Sequence, residues 1–116
     1  DCLLSRGLGD VYKRQHRFYT LMMDNYREHK EVIFYADKLH VSSKYLSEVV
    51  KETSGKSPKD WIIDYSLLEI KELLKNSSLN IQEITIRTKF LNQSALGRFF
   101  KRHTNMSPSE YRESTY

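Results

Sequence analysis

The side chains best suited to catalysis or metal binding are too dispersed in this 116-residue chain to work together. His16, His29, His40 and His103 show no metal-ligand spacing, and His103 falls on an apolar stripe, where core packing is expected. Cys2 is the sole cysteine, which excludes an internal disulfide and a multi-cysteine zinc site. No glycine-rich phosphate loop or paired-carboxylate arrangement occurs, so no enzyme activity, cofactor or metal is expected. What remains is binding chemistry. Ser43, Lys44, Ser47, Glu48 and Lys51 form one polar face, and Gln93, Ser94, Gly97, Arg98, Lys101 and Arg102 form another.

Each face must ride on a helix. Leu46, Val49, Val50 and Thr53 stand at i, i+3, i+4 and i+7, an apolar stripe opposite the first face. Leu96, Phe99, Phe100 and His103 repeat that spacing opposite the second. The two helices belong to an internal repeat at an offset of fifty: KYLSEVVKETSGKSPKDWI over 44–62 and SALGRFFKRHTNMSPSEYR over 94–112. Apolar, basic and capping positions coincide, including Ser57-Pro58 with Ser107-Pro108 and Trp61 with Tyr111.

A short helical pattern precedes each copy, Phe34 to Leu39 in the first and Ile81 to Arg87 in the second. Short helix, tight polar break, longer helix is the helix-turn-helix plan. Ala36 and Thr85 are the small residues expected where the short helix meets the long one, and the second turn is one residue longer.

Ser57-Pro58-Lys59-Asp60 is a helix start, and Ser107-Pro108-Ser109-Glu110 repeats it with a capping box. The helix from Pro58 should run to about Lys75. Its apolar residues fall in two opposed rows, Trp61, Tyr65 and Leu68 against Ile63, Leu67, Ile70 and Leu74, which suggests a brace between two units. At ~1.5 Å per residue it would be about 27 Å long, comparable to the ~34 Å between successive major-groove faces of DNA.

The expected fold is therefore all-α, with about seven helices: two helix-turn-helix subdomains at 16–56 and 77–116, joined by a long linker helix at 57–76. Residues 1–15 read as a tail outside the domain: a linker, a tag or a mistranslated end. Without an initiator Met, the chain is expected to be a fragment. At 39% apolar and 29% charged it is too apolar for a disordered chain. No run reaches the ~18 apolar residues a membrane span needs. No membrane partner is expected, and a reducing, cytoplasmic setting is the default. The net charge of +4 is uneven: residues 77–116 hold six Lys/Arg against three Asp/Glu, and residues 16–56 seven against six.

Over roughly residues 17–113 the chain resembles the DNA-binding domain of AraC-type transcription regulators. FYADKLHVSSKYLSEVVKETSGKSPKDWI is similar to the family's first unit. SLLEIKELLKNSSLNIQEI resembles its linker helix and the entry to its second unit. FLNQSALGRFFKRHTNMSPSEYR is similar to its signature end, with Phe90, Phe100, Lys101, Ser107-Pro108, Tyr111 and Arg112 in pattern. Departures fall in the second unit: Lys89 and Thr85 replace small residues, Leu96 an aromatic, and Asn105 a glycine. Asn is the best substitute at a left-handed helix end, whereas Lys89 is costly if its turn needs a positive φ.

The resemblance implies sequence-specific binding of double-stranded DNA by two recognition helices in successive major grooves, in the service of transcription regulation. Base contacts would come from Ser43, Lys44 and Ser47 and from Gln93, Ser94 and Arg98, the short polar or bidentate groups in the first half of each helix. Lys51, Lys101 and Arg102 are placed for phosphates, as are the amides of Asn80 and Ile81 at the entry to the second unit. Glu48 is expected to pair with Lys44 or Lys51, and Arg112 to be structural. Gly97 would either let the helix approach the duplex closely or fill a packing site. RNA polymerase is an expected partner, and an effector-binding or dimerisation segment is expected upstream. The alternative is a helical protein-interaction module, with Phe18, Tyr19, Phe34 and Tyr35 as an aromatic contact surface.

Overall fold

The computed structural model describes residues 8–115; Cys2 and the rest of residues 1–7 of the expected tail lie outside the described residues. Those described form seven helices and no strand: α1 (Leu8–Asn25), α2 (Val32–Lys38), α3 (Ser43–Ser54), α4 (Pro58–Asn76), α5 (Ile81–Arg87), α6 (Gln93–Thr104) and α7 (Pro108–Glu113). The chain divides inside α4 into a first unit ending at Asp64 and a second beginning at Tyr65. α1 starts at Leu8, inside the stretch set aside as a tail. The guanidinium of Arg14 lies 5.1 Å from the Tyr45 ring of α3, so this stretch touches the first unit.

The first unit buries Phe18 and Met22 of α1, Tyr35 and Ala36 of α2, Leu46, Val49 and Val50 of α3, and Ile62 of α4. Phe18 meets Tyr35 edge-on at 5.5 Å. The Tyr35 hydroxyl donates to the His29 carbonyl at 2.6 Å. Burial, with Glu31 nearby, pushes the Tyr35 phenol above its usual range, so it stays a neutral donor. Because Phe18 and Tyr35 are interior, the aromatic contact surface expected from Phe18, Tyr19, Phe34 and Tyr35 does not form.

The second unit packs Ile70 and Leu74 of α4, Ile84 of α5, and Leu96 and Phe100 of α6 into one core, with Phe90, Phe99 and Tyr111 against it. Phe100 and Tyr111 meet edge-on at 5.4 Å. His103 departs from expectation. It is exposed, its ring resting 4.9 Å from that of Phe99. Spacing fixes its angle around α6, but the core ends before the last turn.

The burial pattern of α4 also differs from the opposed rows. Its buried positions are Pro58, Ile62, Ser66, Ile70 and Leu74, four residues apart, while Leu68 is 59% exposed. A step of four residues advances about 40° beyond a full turn, so this row winds slowly around the helix.

The repeat is carried by the backbone as well as the sequence. In the first turn His40 (φ 59°) is left-handed, and in the second Lys89 (φ 64°) is. The Val41 N–H donates to the Ala36 carbonyl at 3.0 Å, and the Phe90 N–H to the Thr85 carbonyl at 3.1 Å. His40 and Lys89 likewise donate to Asp37 and Ile86, each at 3.2 Å, completing the same helix-end motif in both units. Ala36 and Thr85 are both buried at this point. N-caps follow at Ser42 and Asn92, whose side chains accept from Tyr45 N–H at 3.0 Å and Ala95 N–H at 2.8 Å. The extra residue of the second turn is Leu91.

The far ends match too. Gly55 (φ 81°) and Asn105 (φ 64°) close α3 and α6 in the left-handed conformation. Ser54 donates to the Val50 carbonyl at 2.6 Å, as Thr104 does to that of Phe100 at 2.7 Å. Ser57 caps α4 by accepting from Asp60 N–H at 3.2 Å, and Ser107 and Glu110 form the expected box at α7. The backbone and side chain of Ser107 hold the Glu110 carboxyl below the usual carboxylate range. Arg112 is structural, as expected: its Nε donates to the Leu74 carbonyl at 2.8 Å and its Nη2 to that of Leu73 at 3.3 Å. It thereby puts a cation on the unsatisfied end of α4.

A Cβ in the left-handed region costs about 1–2 kcal/mol, of which part returns as lost chain freedom when glycine replaces it. Lys89→Gly should therefore raise stability by about 0.5–1 kcal/mol in urea unfolding. A loss of stability would show that the Lys89 side chain makes a compensating contact.

Candidate nucleic-acid interface

The buried stripe of α3 leaves Lys44, Glu48 and Lys51 exposed and Ser43 and Ser47 half-buried along its other side. Tyr45 joins them at 40% exposed. Spacing alone did not single it out, since it stands beside the stripe rather than opposite it. Among the described residues no ion pair joins Glu48 to Lys44 or Lys51, so the expected neutralisation does not occur. The two lysines are left with their charge available to a partner.

On α6, Gln93, Ser94, Arg98, Lys101 and Arg102 are all exposed. Ser94, Arg98, Lys101 and Arg102 are spaced by three and four residues, so they run along one side of the helix. The field of Lys101 also reaches Glu110, where it helps hold the carboxyl ionised. Arg98 and Arg102 form no ion pair among the described residues. The site thus offers one hydrogen-bonding amide, one hydroxyl and three cations on a single rigid element.

Gly97 lies on this face, and a Cβ built there meets nothing within 4 Å. Packing within the protein therefore does not require glycine, which removes one of its two expected explanations. Glycine in a helix interior costs about 1 kcal/mol relative to alanine. Gly97→Ala should raise thermal stability by about that amount. It should also weaken DNA binding if α6 approaches a duplex closely, and unchanged affinity would remove the close-approach reading.

At the entry to α5, one of the two amides expected to meet phosphate is already engaged. The Asn80 N–H donates to Glu83 Oε1 at 2.9 Å, and Asn80 Oδ1 accepts from the Glu83 N–H at 2.8 Å. The carboxylate of Glu83 thus occupies the Asn80 amide. Ile81 is half-buried, with its side chain against the core. A contact not visible in the sequence stands nearby. Gln93 Nε2 donates to Gln82 Oε1 at 2.8 Å, tying the first residue of α6 to α5. The two glutamines are eleven residues apart across a turn, and no spacing rule links such a pair.

Among the described residues no group of three His, Cys, Asp or Glu stands close enough to hold a metal ion. No helix among them is long and apolar enough to cross a membrane.

Two short-helix, turn, long-helix units, each presenting a polar second helix, define a helix-turn-helix protein. Residues 35–114 match the family described as "Helix-turn-helix domain", and the chain belongs to this family in its AraC-type form. It is 32% identical over 77 residues to an uncharacterized HTH-type transcriptional regulator, YobQ, of Bacillus subtilis, covering 66% of this chain and 32% of that protein. The chain spans about a third of the length of the curated relatives it matches. Among solved structures, the C-terminal domain of AraT, a response regulator from Geobacillus stearothermophilus, superposes with a TM-score of 0.76 at 26% identity, covering 89% of each chain. The DNA-binding domain of the transcriptional factor AdpA, solved with a target DNA, shares the fold with a TM-score of 0.72 at 23% identity. That match covers 84% of this chain and 88% of the AdpA domain.

Proposed function

We propose that the chain binds double-stranded DNA sequence-specifically through α3 and α6 and acts in transcription regulation. The observation that carries the reading is the polar face of α6, where Arg98, Lys101 and Arg102 stand exposed on the side away from the buried Leu96 and Phe100. AdpA, of the same fold, was solved on its target DNA through a domain of this kind.

Base reading falls to Ser43, Lys44 and Ser47 on α3 and to Gln93, Ser94 and Arg98 on α6. The guanidinium of Arg98 can bridge guanine O6 and N7, a contact worth about 1–3 kcal/mol of discrimination. Lys51, Lys101 and Arg102 take phosphates, which set position without reading sequence. The Ile81 amide at the start of α5 is a further phosphate donor, and Asn80 is left out, because Glu83 holds its amide. That the two helices take successive major grooves rests on the family resemblance. The relatives' additional length accommodates an effector-binding or dimerisation segment. RNA polymerase is the partner through which an intracellular regulator of this kind would act, and no catalytic step is part of the proposal.

Selection of bound duplexes from a random pool tests the reading. Enriched sites should carry two blocks of preferred bases, one altered by Lys44→Ala and the other by Arg98→Ala. Binding without enrichment would sink the sequence-specific part of the proposal.

A further inference from the structure

The bond between Gln82 and Gln93 deepens the proposed DNA reading, and the role assigned to it rests on that reading. Both side chains are exposed, and their bond runs between α5 and the first residue of α6. An exposed glutamine ordinarily samples several rotamers, and its amide can present donor or acceptor to either side. Here Gln93 Nε2 gives one hydrogen to Gln82 Oε1 at 2.8 Å. One N–H and the whole of Oε1 remain on Gln93. A donor beside an acceptor matches adenine, whose N7 accepts and whose N6 donates in the major groove. Guanine offers two acceptors there, so it would need both hydrogens of the amide, one of which is taken.

We propose that Gln82 is a positioning residue which holds Gln93 in the sense that reads adenine, so that the second unit specifies an A·T pair where Gln93 meets the groove. Gln82 need touch no base itself. Its part is to settle the orientation of the amide before DNA arrives, so that less freedom is lost on binding.

Three variants of the full chain, compared by duplex selection and by anisotropy on the selected site, test this. Gln93→Ala locates the base pair, since preference should collapse at one position, and that position should favour adenine in the parent chain. Gln82→Met keeps size but removes the acceptor, and should cut the adenine preference there by about tenfold. Affinity for random duplex, its salt dependence and the thermal midpoint should stay unchanged. Gln82→Glu can only accept, so it fixes Gln93 in the same sense. It should keep the adenine preference even as its charge lowers affinity for all duplexes alike.

A preference for guanine at the Gln93 position, or an adenine preference intact in Gln82→Met, would overturn the assignment while leaving DNA binding standing. So would loss of the preference in Gln82→Glu, or no change at any position in Gln93→Ala. Failure of the parent chain to bind any duplex would overturn both this and the reading it rests on.

Discussion

Phe100→Ala should destabilise the second unit by about 3–5 kcal/mol, the cost of removing a buried phenyl ring and leaving a cavity. Phe100 has no exposed surface and packs in one core with Ile70, Leu74, Ile84 and Leu96. Its ring also forms a T-shaped pair with that of Tyr111, centroids 5.4 Å apart, so its loss would loosen α7 as well as α6. Small units have little stability to spare, and a loss of this size approaches the whole of it. Circular dichroism should show part of the helical signal melting early or missing at room temperature. Leu91→Ala is the matched control. Leu91 is apolar but 91% exposed, in the turn, so its truncation should move stability by less than about 0.5 kcal/mol. Equal losses from the two would contradict the core described here.

Arg98→Ala and Lys101→Ala should both weaken DNA binding, but in different ways. If Arg98 bridges a guanine, its loss costs about 1–3 kcal/mol on the preferred site, roughly 5- to 150-fold, and much less on random duplex. If Lys101 meets a phosphate, its loss weakens all duplexes alike and reduces the slope of log affinity against log salt by about one. The pair is informative because both groups are exposed cations on one helix face, separated by less than one turn. Should Arg98→Ala lower affinity for every duplex equally and reduce the salt slope, Arg98 is a phosphate contact. The base-reading role would then pass to Gln93 and Ser94.

Much of the fold was legible in the residues, and the reasons are local. Caps at Ser57 and Ser107, the left-handed end at Asn105, and the period of Leu46, Val49 and Val50 each arise within a few residues of chain. The cost suspected at Lys89 proved to be a real positive φ, and His40 shares it. What escaped the sequence depends on where the core stops and on neighbours remote in the chain. Periodicity placed His103 on the apolar side of α6 but could not say that the core ends short of it. The same limit made Leu68 of α4 look like part of an apolar row when it faces solvent. Because the family resemblance began only near residue 17, the start of α1 at Leu8 and the contact of Arg14 with Tyr45 were not legible in the sequence.

For the candidate site, the exposed residues of α6 were legible because helical spacing opposite a strong apolar stripe leaves little choice. The capping box of Asn80 and Glu83 was present in the sequence as Asn-x-x-Glu, and it engages the Asn80 amide that was expected to meet phosphate. The Gln82–Gln93 bond could not be foreseen, since it depends on the turn bringing two side chains within 2.8 Å.

The proposed function requires the exposed cations on these helices to bind a duplex. Fluorescence anisotropy of the full chain with labelled random duplex DNA, titrated across salt concentration, tests it most directly. Micromolar binding at low salt should fall steeply as salt rises, because each phosphate contact releases condensed counterions. A folded chain that binds no duplex at low salt, or binds with no dependence on salt, would contradict the account.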